Sequence, residues 1–142
     1  MKLIQMSLIA MILVVSACSK DDKAAELDCS LVFCTLDFRS ITVDLVNSDG
    51  EALTQGSPYF LERTLEGSDK IIEVTNSMED RFVILDDSHL SILNPEGTNI
   101  IVKVFRVGVA SNDLINISKY VIGRDCCHIS KVSGPDNIKV EN

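Results

Sequence analysis

Ile41-Thr42-Val43-Asp44-Leu45, running into Asn47-Ser48-Asp49-Gly50, decides the fold class of this chain. Apolar and polar residues alternate with period two, so Ile41, Val43 and Leu45 share one face of an extended strand. The four residues after Val46 are turn formers, and Gly50 can take a positive φ. The same pattern recurs downstream. Residues 59–64, 70–75 and 81–86 read as strands, with Ile72 and Val74 inward in the second of these. Residues 99–107 read as a longer strand, with Ile100, Val102 and Val104 dry and Lys103 wet. Ser111-Asn112-Asp113 marks a hairpin turn into a strand over 114–122, and 137–140 gives a short last strand after Ser133-Gly134-Pro135-Asp136. Pro58 is placed to open a strand, while Pro95 and Pro135 fall in loops. Stretches 52–55 and 87–93 are the only helical candidates, and both lack length and good caps. About seven short strands at this spacing predict a single antiparallel β-sandwich over residues 29–142.

Composition agrees. The apolar residues are mostly Val, Ile and Leu, and the chain has no Trp. Branched side chains of this kind favour packed sheets.

The N-terminus carries a different signal. Lys2 precedes an apolar run, Leu3 to Val15, broken only by Gln5 and Ser7. The run is shorter than the roughly 20 residues needed to span a bilayer. A basic start, a short apolar core and small residues before a cut predict an export signal over residues 1–17. Val15-Ser16-Ala17-Cys18 resembles the bacterial lipobox. The resemblance implies diacylglycerol transfer to Cys18, cleavage before it and anchorage to a membrane by covalent lipid. Ser19-Lys20-Asp21-Asp22-Lys23 resembles the export signal of Bacteroidota surface lipoproteins, which implies an outer-membrane lipoprotein exposed at the cell surface; a periplasm-facing lipoprotein is the alternative. Residues 18–28 then form a polar tether.

Cleavage would leave 125 of the 142 residues and remove one basic residue, Lys2. The mature chain carries 12 Lys/Arg against 21 Asp/Glu, a net charge of −9. Such a chain lacks the basic patch that nucleic acid requires. It is also not drawn to anionic lipid by charge, so the lipid on Cys18 must hold it. No calcium-loop spacing supports a cation site.

Besides Cys18 there are Cys29, Cys34, Cys126 and Cys127, an even number in an exported chain, which predicts disulfides. Three pairings are possible. On an extended strand Cys126 and Cys127 point to opposite faces, as do Cys29 and Cys34. That parity favours two long-range bridges joining the start of the domain to its end. The rival pairs Cys29 with Cys34 and the neighbours with each other, which distorts the peptide. Long-range pairing requires Cys29 and Cys34 to lie within about 17 Å. Each bridge, closing some 90 residues, would stabilise by about 4 kcal/mol.

Cys126-Cys127-His128 also invites a zinc reading, but adjacent cysteines chelate poorly and the usual knuckle spacing is absent. His89 and His128 read as surface or hydrogen-bonded residues. No nucleophile elbow, zincin motif or phosphate loop is present, so no catalytic, metal or cofactor residue is assigned. Residues 41–60, through Val43, Leu45, Asp49-Gly50 and Leu53, resemble the first hairpin of transthyretin-like, carboxypeptidase-regulatory-like domains. That likeness implies a non-catalytic accessory domain. Asp125-Cys126-Cys127-His128-Ile129 and Ser133-Gly134-Pro135, with Cys34-Thr35, Phe38 and Ile41, resemble a group of small Bacteroidota lipoproteins with no known activity. The expectation is therefore a membrane-anchored β-sandwich with a binding or structural accessory role, meeting a protein or glycan at the cell surface. An enzyme with an unrecognised site, or a Cys/His metal-binding protein, is the alternative.

Overall fold

The computed structural model describes residues 27–54, 57–76, 78, 80–109 and 111–141. The expected signal peptide, Cys18 and the tether up to residue 26 lie outside these described residues.

The described residues fold as an all-β sandwich of eight strands: β1 (Ser40–Val46), β2 (Ala52–Leu53), β3 (Tyr59–Leu65), β4 (Phe82–Asp86), β5 (Thr98–Arg106), β6 (Asp113–Arg124), β7 (Ile129–Ser133) and β8 (Asn137–Lys139). One sheet runs β3-β5-β6-β7, antiparallel throughout. The other is built around β1. Its Ser40–Val43 half pairs antiparallel with β4, and a register shift follows Ile41. Its last residues pair with β2 on one side and, in parallel, with β8. β4 and β8 thus share one edge of β1 in series. Among the described residues, the β1–β8 pair departs from an antiparallel sandwich.

Alternation set the core. Val43 and Leu45 of β1, Ile100, Val102 and Val104 of β5, and Tyr120 and Ile122 of β6 are fully buried. Each buried aliphatic side chain of this size stabilises by about 1.5–3 kcal/mol. Opposed pairs such as Ile100 and Tyr120 bring these side chains together across β5 and β6. Gly50 supplies the positive φ, 85°, in the turn after β1.

Three sequence expectations change. Residues 70–75 are not a strand: Ile71 makes a single bridge to Thr64, and the Ile72 amide donates to the Arg63 carbonyl at 2.8 Å. Ile72 and Val74 still pack against the core, so the alternation reported burial without a ladder. Residues 87–92 form a 3-10 helix. Its cap is Asp86, whose buried carboxylate accepts from the Ser88 amide at 3.0 Å and from Asn76 at 2.6 Å. Finally, Cys126 and Cys127 lie in the β6–β7 turn and not on a strand.

Arg63 sits at an inward position of β3. Its guanidinium donates to the Leu61 carbonyl at 2.7 Å and across to the Val83 carbonyl of β4. Burial pushes its pKa down to about 10 against the pull of Glu73. The side chain stitches one sheet to the other.

Candidate functional site

The residues before β1 form a strap, 27–39, across the end of the sandwich where β1 starts and β4 and β6 finish. A turn closes within it, with the Val32 amide donating to the Cys29 carbonyl at 3.2 Å. Two disulfides hold it. Cys29 is bonded to Cys126 and Cys34 to Cys127, with Cα–Cα distances of 5.4 and 5.3 Å. The bridges are the long-range kind. The parity argument is not what produces them, because both cysteine pairs lie outside regular strands. The adjacent cysteines diverge because a turn separates β6 from β7. Asp125 builds that turn: its carboxylate accepts from the Cys127 and His128 amides, both at 2.7 Å. Those two amides hold the Asp125 carboxyl below its ordinary pKa. An Asp at this place is a turn signal readable from sequence.

Next to the bridges, three segments converge on Asp87. One carboxylate oxygen accepts from the Ile129 amide at 2.8 Å. The other accepts from the Arg39 amide at 2.8 Å and from His128 Nδ1 at 2.8 Å. The Asp87 amide in turn donates to the Arg39 carbonyl at 3.0 Å. His128 is buried, and its Nε2 lies 3.2 Å from Thr35 Oγ1. With Nδ1 facing the carboxylate, Nε2 is the ring atom that meets the Thr35 hydroxyl. Burial raises the pKa of Asp87, but the bonds from His128, Arg39 and Ile129 outweigh it and hold the carboxyl below its usual range. The node therefore ties strap, 3-10 helix and β7 together. Of the two sequence expectations for His128, surface or hydrogen-bonded, the second holds; Asp87 and Thr35, distant in the chain, carry no local motif that marks them. His89 is elsewhere: its Nε2 donates to the Glu73 carbonyl at 2.9 Å and its Nδ1 lies beside Asp86.

A pocket of about 400 Å³ opens beside this node. Val32, Phe33, Thr35, Arg39 and His128 line it, with the turn at Asp125 and the disulfides. Around it the strap exposes Leu31, Val32, Phe33, Leu36 and Phe38, with Phe33 97% and Leu36 104% exposed. Contiguous exposed apolar patches are rare on soluble monomers. All four described cysteines are in disulfides, and among the described residues no group of three or more His, Cys, Asp or Glu is placed to hold a metal ion.

No protein-family model, curated protein or solved structure matches this chain.

Proposed function

We propose that the chain is an exported lipoprotein, anchored through Cys18, whose sandwich is a non-catalytic accessory module that makes contact through the strap. The carrying observation is the strap itself: a run of exposed apolar side chains, pinned in place by two disulfides. A surface fixed before contact loses little conformational freedom on binding. The disulfides support an oxidising, extracytoplasmic location, and Val15-Ser16-Ala17-Cys18 supports the anchor. Lys20, Asp21 and Asp22 support the outer face of the outer membrane.

The test is fractionation of cells with Cys18→Ala, joined to protease shaving of intact cells. The variant should leave the membrane fraction or accumulate as precursor, and added protease should digest the wild type. A variant that stays processed and membrane-bound would refute the anchor. Protection from protease would move the protein to the periplasmic face.

The Thr35–His128–Asp87 chain favours a second reading, acyl transfer by Thr35, because hydroxyl, imidazole and carboxylate stand in the order of a nucleophile, its base and an orienting group. Ester hydrolysis lost in both Thr35→Val and His128→Gln would favour it; identical background rates in wild type and variants would remove it.

A further inference from the structure

We infer that the strap docks into the lipid surface that holds Cys18, so that the sandwich stands end-on with its disulfide end in the membrane interface. The inference rests on the lipid anchor proposed above and names the partner of that same surface.

Eight residues lie between Cys18 and Leu27, and the nine extended steps span at most about 32 Å. A bilayer anchored at Cys18 is therefore within reach of the strap. Confinement of this kind raises the effective concentration of the lipid surface at the strap. The side chains facing it suit that surface. Leu31, Phe33, Leu36 and Phe38 are exposed and apolar, and from Leu31 to Phe38 the only charge is Asp37. Apolar groups of an interfacial element sink roughly 5–10 Å into the headgroup–acyl boundary. The disulfides fix the strap at Cys29 and Cys34 to the β6–β7 turn. The net negative charge of the domain opposes anionic lipid, so apolar insertion and not charge is the source of the contact.

The fold also fixes what faces away. The strap is tied to the β6–β7 turn, at the finish of β6. The β5–β6 hairpin, with Val109 fully exposed, is at the start of β6. Twelve residues of strand place the two ends about 40 Å apart. With the strap in the interface, the hairpin stands well clear of the lipid.

The chain has no Trp, so single tryptophans report depth without interference. Phe33→Trp, Leu36→Trp and Val109→Trp all fall at exposed positions where folding does not depend on the side chain. Each full-length protein is purified with its lipid and reconstituted in phosphatidylcholine vesicles, with or without brominated acyl chains. Co-sedimentation with vesicles, lost in Cys18→Ala, reports the anchor separately from the strap. The expected result is blue-shifted emission, quenched by brominated lipid, for the tryptophans at 33 and 36, and water-exposed, unquenched emission at 109. Vesicle-bound protein whose tryptophans at 33 and 36 remain water-exposed would overturn the docking while leaving the anchor intact. Blue-shifted but unquenched emission, with a cross-linked dimer, would overturn it in favour of a second copy covering the strap.

Discussion

Removing one disulfide should cost about a third of what removing both costs. The perturbation is Cys34→Ala/Cys127→Ala, or Cys29→Ala/Cys126→Ala, against the quadruple variant. The bridges span 97 and 93 residues but join neighbouring positions at both ends. Once Cys29–Cys126 is made, Cys34–Cys127 closes only a ring of about eight residues, since the long loop is already closed. In the chain-entropy model the first closure is worth about 4.7 kcal/mol and the second about 2.5 kcal/mol. Losing either bridge alone therefore costs about 2.5 kcal/mol, and losing both about 7 kcal/mol. At roughly 4 °C per kcal/mol for a domain of this size, the falls in Tm are about 10 °C and about 28 °C. Thermal denaturation followed by circular dichroism, with urea midpoints as a second reading, measures all four proteins. If the quadruple variant loses no more than the two paired variants together, the bridges are independent and the shared-loop argument is wrong.

Other expectations follow from the packing. Asp87 has a lowered pKa in the fold, so its contribution is full above the unfolded value near 3.9 and is lost as pH falls through the folded value. Asp87→Asn should cost about 1.5–3 kcal/mol at pH 7, and the gap to wild type should shrink in urea titrations at pH 3; a gap independent of pH would refute the charged role. Gly134 has φ 132°, and a Cβ there would lie 2.3 Å from Cδ1 of the buried Tyr120 ring. Gly134→Ala should cost about 2–4 kcal/mol by calorimetry, and a loss under about 0.5 kcal/mol would show that the ring gives way. Arg63→Lys keeps the charge but cannot bond both the Leu61 and Val83 carbonyls, so a loss of about 1–3 kcal/mol is expected in urea denaturation; an unchanged midpoint would mean the guanidinium bridge contributes nothing.

What the sequence disclosed was burial, more than pairing. The alternation in 41–45 and 99–107 located β1 and β5 and named their inward residues. The same alternation in 70–75 found Ile72 and Val74 correctly turned to the core but not the missing ladder, because pairing depends on a partner edge that local pattern does not encode. β7 is hidden because an extended reading of Cys126-Cys127-His128 runs through the turn that the Asp125 carboxylate builds. β8 was found, but its parallel pairing with β1 depends on the whole topology. Arg63 breaks the inward pattern of β3, and the Leu61 and Val83 carbonyls that its guanidinium meets explain why a charge is held there. The strap was the least legible part: its Leu and Phe residues look like core until the disulfides are seen to hold them outside it.

One measurement reads the anchor directly: the mass of the N-terminal tryptic peptide from protein extracted from membranes. The expected peptide is Cys18-Ser19-Lys20, beginning at Cys18 and carrying a diacylglyceryl group, with or without a further acyl chain on its amine. A peptide that retains residues before Cys18, or an unmodified Cys18, would contradict it.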